Sequence, residues 1–198
     1  MKSKLLFLVL AAAAAILTAS QAQCQIAPDK PASQNTEPES KYVAFAGVGY
    51  TSLNQVSQSN SGLLGVTVSM TRNWGKYFGI TLDGGHYQWV VTRANPEAAS
   101  VNLYLAGPEF HAPLYEKVSL FAHGLIGAAH TGGVAIYPNY SFAGGVGLGL
   151  DYKLNSKFGL RAYGDDIGSS FSVTPFQPGD SPHRRFNARA QLGLTYRF

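Results

Sequence analysis

The sequence predicts an all-β chain that folds as an eight-stranded antiparallel up-and-down transmembrane β-barrel. Three observations predict this fold: a strictly alternating segment at 186–198, a low content of charged residues, and eight strand-like segments whose connections alternate between short and long. Alternation with a period of two places apolar and polar side chains on opposite faces of a strand. Such strands can close into a barrel that presents its apolar face to lipid and its polar face to the lumen.

The alternation is clearest in the segment 186–198. Its odd positions are polar, charged or glycine, and every even position is apolar. The even positions are Phe186, Ala188, Ala190, Leu192, Leu194, Tyr196 and Phe198. A strand of this kind requires an apolar environment on one side and water or polar packing on the other.

The composition favours a membrane barrel over a soluble one. Charged residues make up 13% of the chain, against roughly 25% in soluble domains. The chain also contains 22 glycines, and 12% of its residues are aromatic. A soluble barrel or sandwich is the alternative, because it alternates in the same way with its apolar face inward, but it requires a charged exterior.

The N-terminus has the features of a secretory signal peptide, which we place at residues 1–22. Lys2 and Lys4 precede an apolar run at 5–17, and the small-x-small sequence Ser20-Gln21-Ala22 fits a cleavage site after Ala22. A membrane anchor is the alternative, but the apolar run is short for one. The following residues, 23–40, are rich in Pro, Gln, Ser, Asn and Glu without periodicity, and we expect a disordered periplasmic linker.

The remaining global features exclude several classes of function. The formal charge of +4 falls to +2 when Lys2 and Lys4 are removed with the signal, which is too small to indicate nucleic-acid binding. Cys24 is the single cysteine, so no intrachain disulfide can form. The histidines lack the close spacing of a metal site, and no phosphate-binding loop is present. We therefore expect no cofactor and no metal.

Eight strands are expected between residues 41 and 198. Their approximate ranges are 41–53, 62–74, 76–89, 100–110, 117–129, 141–154, 157–166 and 186–198. In the fourth strand, Val101, Leu103 and Leu105 form the expected apolar face, whereas the facing of the first and fifth strands stays open. The longer connections all fall at one end, which is typical of outer-membrane barrels and places both termini in the periplasm.

The glycine-rich strands and the terminal pattern Leu192-x-Leu194-x-Tyr196-x-Phe198 resemble those of the small outer-membrane β-barrel proteins of OmpA-like or porin-like type in Gram-negative bacteria. The resemblance covers residues 41–198. It implies a place in the cell envelope, in contact with outer-membrane lipid and lipopolysaccharide. It also implies that the barrel-assembly machinery reads the four terminal residues as an assembly signal. The chain lacks the peptidoglycan-binding domain that follows the barrel in full-length OmpA, so anchoring by that route is not implied.

Seven charged residues share the polar faces of the expected strands and form the candidate lumen network. They are Asp83, Asp151, Lys153, Arg161, Asp165, Arg189 and Arg197. Because an eight-stranded barrel is just wide enough for side chains to fill, these charges should pair with one another. We expect Asp151, Arg161 and Arg189 in one polar cluster. A gated narrow pore or proton path is the alternative interpretation.

Other candidate sites are weaker. Arg184 and Arg185 are candidates for contact with lipopolysaccharide phosphates or a surface partner, although basic residues also occur at membrane interfaces without such a role. Ser169, Ser170, Ser172, Asp180 and His183 are the nearest approach to a hydrolase constellation. Because serines are common in such loops, we expect no enzyme. The expected role is structural or in surface interaction, with a narrow porin-like channel for small solutes or a lipid-modifying enzyme as alternatives.

Overall fold

The computed structural model describes residues 40–54, 60–92, 100–132, 139–169 and 185–198. The expected signal peptide and nearly all of the expected linker lie outside these ranges. The described residues form eight strands. They are β1 (Tyr42–Asn54), β2 (Asn60–Asn73), β3 (Phe78–Thr92), β4 (Ser100–Pro113), β5 (Val118–Gly132), β6 (Asn139–Lys153), β7 (Phe158–Ser169) and β8 (Arg185–Arg197).

The strands close into one antiparallel barrel in which each strand pairs with its neighbours in sequence and β1 pairs with β8. This confirms the predicted fold class. The closing seam extends to the end of the chain, where the backbones of Tyr42 and Phe198 exchange two hydrogen bonds of 3.1 and 3.0 Å. Within the described strands, closure leaves no free sheet edge. A free edge would leave backbone N–H and C=O groups unpaired in an apolar surrounding.

Three short turns lie at the same end of the barrel as this seam, at 74–77, 114–117 and 154–157. Gly75 has a positive φ of 80°, a conformation that glycine adopts without steric cost. In the turn at 154–157, the Asn155 side chain accepts hydrogen bonds from the backbone N–H groups of Lys157 and Phe158, at 2.9 and 2.8 Å. The connections at the opposite end lie outside the described residues.

The structure settles the facing of the strands that the sequence left open. In β1, Val43 and Phe45 point inward, and Val48 on the opposite face is 63% exposed. In β5, Phe121 and His123 point inward. Both strands carry apolar residues on the two faces because the lumen of this barrel is partly apolar.

The facing expected for β4 was wrong. Val101, Leu103 and Leu105 are 3–4% exposed and point into the barrel, whereas Tyr104 points outward with 59% exposed. The three residues belong to a buried apolar cluster that fills the lumen toward the end opposite the short turns. An apolar residue can satisfy either the lipid or a packed interior, so apolar alternation alone did not determine the facing here.

The exterior is an apolar belt that ends in aromatic rings. Leu82, Ile126 and Val146 are 60–68% exposed on three different strands. Near the short turns, neighbouring exterior rings lie within 5.2–6.2 Å of one another. These rings belong to Tyr42, Trp74, Phe78, Phe110, Phe158, Tyr196 and Phe198. Aromatic girdles of this kind mark the membrane interface of transmembrane barrels.

Within the described ranges, no helix is long and apolar enough to cross a membrane.

Candidate functional site: an ion network across the lumen

Charged side chains from five strands meet inside the barrel, where they are at most 7% exposed. They come from inward-facing positions of β3, β4, β6, β7 and β8. The acidic members are Asp83, Glu109, Asp151 and Asp165, and the two guanidiniums belong to Arg161 and Arg189. Because burying an unpaired charge is costly, the arrangement of these groups decides whether the barrel is stable.

Arg161 on β7 forms the first centre of the network. It stands opposite Asp151 of β6 in the strand register and donates two hydrogen bonds of 2.8 Å to that carboxylate, from Nε and Nη2. It also reaches Glu109 on β4, donating from Nη2 to Oε1 at 3.1 Å and from Nη1 to Oε2 at 3.3 Å. Its guanidinium lies 4.2 Å from the ring centroid of Phe121. One arginine therefore binds carboxylates from two sides of the barrel.

Glu109 is fully buried and accepts further hydrogen bonds from two threonines. The Thr81 hydroxyl donates to Oε2 at 2.8 Å, and the Thr71 hydroxyl donates to Oε1 at 3.4 Å. His111 Nε2 lies 3.2 Å from Oε1. The hydrogen bonds from Arg161 and the two threonines replace the water that the carboxylate loses on burial.

Arg189 on β8 forms the second centre. Its Nε donates to Asp165 of β7 at 2.5 Å, and its Nη1 donates to Asp83 of β3 at 2.7 Å. The Tyr163 hydroxyl donates to the same Asp83 carboxylate at 3.1 Å. Gln191, two residues along β8, bonds the Tyr87 hydroxyl of β3. The second centre therefore also spans the barrel, from β7 and β8 to β3.

His123 on β5 lies between the two centres and is hydrogen-bonded to the second. Its Nε2 lies 2.7 Å from Asp165 Oδ1, and its Nδ1 lies 3.8 Å from Glu109 Oε2. Gly147 lies directly beside this contact. A Cβ at that position would overlap the Asp165 carboxylate and the His123 ring. Glycine is therefore required at 147 for the imidazole and the carboxylate to meet.

The structure brings together five of the seven residues proposed for the lumen network. Asp83 and Asp165 share Arg189, and Asp151 and Glu109 share Arg161. His123 lies between the two groups, 2.7 Å from Asp165 and 3.8 Å from Glu109. The other two lie nearer the short turns. Arg197 is half-buried and donates to the Phe158 backbone carbonyl at 3.5 Å. Lys153 is half-buried at the end of β6.

Sequence reasoning missed Glu109, the second carboxylate that binds Arg161. Glu109 shares its face of β4 with Val101, Leu103 and Leu105, the set expected to face lipid. A carboxylate on that face was the available signal, because it contradicts a lipid-facing assignment. Tyr87, Tyr163 and Gln191 lie on the polar-face parity of their strands, but they were left out of the predicted network because that network contained only charged residues.

The other candidate residues have different positions. The proposed assembly residues Leu192, Leu194, Tyr196 and Phe198 all face outward and are 39–57% exposed. Ser169 is buried and accepts a 3.0 Å hydrogen bond from Asn187 Nδ2. Arg185 begins β8, whereas Arg184, Ser170, Ser172, Asp180 and His183 lie outside the described residues. Within the part of the chain that the structure describes, no group of three or more His, Cys, Asp or Glu residues is arranged to hold a metal ion.

The comparisons with known proteins identify the architecture. The sequence matches no family model and no curated protein. Neisserial surface protein A is similar in structure, with a TM-score of 0.64, 11% identity, and coverage of 80% of this chain and 98% of that chain. Ail, the attachment invasion locus protein of Yersinia pestis, has a TM-score of 0.55, 16% identity, and coverage of 81% and 99%. The chain therefore has the fold of the small eight-stranded outer-membrane β-barrels.

Proposed function

We propose that this protein is a closed barrel of the bacterial outer membrane with a structural or surface-interaction role. In this proposal the lumen is a packed, cross-linked interior and conducts no solutes. The protein carries no enzymatic activity. The export signal and the outer-membrane location belong to the proposal, which the apolar exterior and the aromatic rings at the short-turn end support.

A single observation supports the closed lumen: hydrogen bonds and ion pairs join side chains on opposite walls of the barrel. Tyr163 on β7 bonds Asp83 on β3, and these strands are four apart in an eight-stranded ring. Arg161 to Glu109 and Arg189 to Asp83 each span three strands. A conducting path would have to break charge-assisted bonds that are buried away from water.

The apolar half of the lumen supports the same proposal. Nine buried side chains, each at most 4% exposed, pack above the ion network on the side away from the short turns. They include Leu63, Tyr87, Leu125 and Ile167. Ions crossing this layer would lose their hydration without gaining a polar partner.

The surface role is supported by the sequence of the connection between β7 and β8. This segment, 170–184, lies outside the described residues, and its last residue, Arg184, directly precedes Arg185. We propose that these two arginines bind lipopolysaccharide phosphates. The name of the neighbour Ail describes attachment, and one of its structures contains the heparin analogue sucrose octasulfate. That precedent concerns Ail, and here it supports only the class of role.

Planar-bilayer recording tests the closed lumen. We expect the purified wild-type barrel to give no large steady conductance, with a general porin in the same bilayer as the positive control. A reproducible steady conductance contradicts the packed lumen and favours a narrow channel.

Two further measurements test the remaining parts of the proposal. Binding of purified lipopolysaccharide to the barrel in nanodiscs should weaken in an Arg184→Gln/Arg185→Gln variant and remain unchanged in Lys117→Gln, which alters the opposite rim. Lipid A mass spectra from cells with and without the protein should be identical. A new lipid A species would establish an enzyme instead.

A further inference from the structure

An apolar groove of about 760 Å³ crosses the outside of the barrel between β1 and β5. Small outward residues deepen it at three strands, namely Ala44, Gly84 and Ala106. Larger outward side chains border it, including Met70 and Leu82. Its volume lies within the range of small-molecule sites, roughly 300–1,000 Å³.

Arg72 lies directly beyond the end of this groove that is nearer the short turns. It is the next outward residue after Met70 on β2, and it stands opposite Tyr42 of β1 and Ile80 of β3. Its side chain is exposed on the lipid-facing side. Among the described residues, no carboxylate pairs with it.

Two aromatic rings hold the Arg72 guanidinium in place. Its Cζ lies 4.8 Å from the Trp74 ring centroid and 6.0 Å from the Tyr42 ring centroid. Contacts with ring faces orient an arginine without consuming its N–H donors. The donors thus remain available for an anion at the level of the aromatic rings, where lipid headgroups lie.

The dimensions match one membrane leaflet. From Arg72 to Val68, which borders the groove, the strand advances four residues, or about 13 Å. At the roughly 40° tilt of barrel strands this is about 10 Å along the membrane normal, within the roughly 12 Å that one leaflet contributes to the ~25 Å apolar band of an outer-membrane barrel. The cation and the groove are therefore spaced as the headgroup and acyl chain of a lipid in the leaflet nearest the short turns.

We propose that this face of the barrel is a binding site for an anionic phospholipid of the periplasmic leaflet. Its phosphate pairs with Arg72, and one acyl chain lies in the groove over Gly84. The proposal rests on the outer-membrane location proposed above but does not depend on a closed lumen. The conductance test of the closed lumen and the lipid-binding test of this site can therefore fail independently of each other.

The test is native mass spectrometry of the intact barrel, extracted in a non-ionic detergent with equimolar phosphatidylglycerol and phosphatidylcholine of identical acyl chains. We expect wild type to retain phosphatidylglycerol preferentially. Arg72→Gln should reduce that preference about fivefold, the effect of one basic residue near an anionic lipid surface. Lys157→Gln, which alters a lysine in the turn between β6 and β7, is the matched charge control and should leave the preference unchanged.

A second variant tests the groove. A Cβ at Gly84 would meet only Val68 atoms, at 3.9 Å, so Gly84→Leu adds a side chain to the groove without displacing the barrel. We expect this variant to lose bound phospholipid. Gly164→Leu is the matched control, because Gly164 is exposed on β7, where a Cβ would meet only the Arg189 carbonyl at 3.6 Å.

Folding of every variant is verified first by the difference in gel mobility between unboiled and boiled samples. Equal retention of the two lipids by wild type would overturn the proposal. So would equal losses in the variants and their matched controls. Displacement of the phospholipid by added lipopolysaccharide would assign the site to the opposite leaflet and also overturn it.

Discussion

The Tyr163 hydroxyl donates a hydrogen bond to the Asp83 carboxylate at 3.1 Å, across the full width of the barrel. The two residues belong to β7 and β3, strands with no shared backbone ladder. The carboxylate also accepts from Arg189 at 2.7 Å. The lumen thus contributes to barrel stability through direct links between opposite walls.

Tyr163→Phe tests this link. The change removes one hydroxyl and should destabilise the folded barrel by about 1–3 kcal/mol, because the buried carboxylate loses a donor that water cannot replace. The measurement is equilibrium urea unfolding in lipid vesicles. Tyr152→Phe, on the exposed exterior of β6, should change the free energy of unfolding little. Equal effects of the two changes would contradict the assigned role of the cross-lumen bond.

The Arg161 centre should show strong coupling in a double-mutant cycle. Arg161→Met leaves Glu109 and Asp151 buried without their cation and should cost about 3–5 kcal/mol. Adding Asp151→Asn to that variant should cost less than Asp151→Asn does in wild type, because the partner is already gone. Lys117→Gln, an exposed turn residue, is the control. Strictly additive effects at 151 and 161 would refute the pairing.

The sequence alone was sufficient to predict the architecture, because the lipid face favours apolar residues and the lumen face favours polar ones at alternate positions of a strand. In β8, the alternation from Ala188 to Tyr196 matched the structure at every position, since the lumen face carries Arg189 and Gln191. In β4 the same reasoning failed, because Leu103 and Leu105 pack inside. Period-two patterns separate two faces, but they identify the lipid face only when the other face is polar.

Partners within the network could be predicted only where strands are adjacent. Asp151 and Arg161 belong to consecutive strands joined by a short turn, so their register follows from the turn. The pairing of Arg161 with Glu109 depends on strand stagger and barrel closure, which join strands far apart in sequence. Local sequence patterns do not show which residues on opposite walls of the barrel lie at the same level along its axis.

The destabilisation caused by a charged residue on the lipid-facing side of β8 should depend on how deep in the membrane that residue lies. Leu192 is 57% exposed near the middle of the strand, so Leu192→Arg should destabilise the barrel by about 2–4 kcal/mol in lipid. Leu154→Arg, in the turn at 154–157, should cost only about 0–1 kcal/mol, because the interface tolerates charge. The measurement is unfolding in vesicles. A smaller penalty at 192 than at 154 would contradict the lipid-facing assignment.

Closure of the barrel depends on contacts that Phe198 makes with β1. Its backbone exchanges two hydrogen bonds with Tyr42, and the two rings stack with centroids 5.8 Å apart. Phe198→Ala keeps the backbone bonds but removes the stacked ring, which is worth about 0.5–1.5 kcal/mol beyond the area buried. We expect slower insertion into vesicles and a larger fraction that migrates as unfolded on unboiled gels. Leu154→Ala removes an exposed apolar side chain from a turn outside the seam and should insert at the wild-type rate. If both variants insert like wild type, the ring of Phe198 is dispensable for closing the β1–β8 seam.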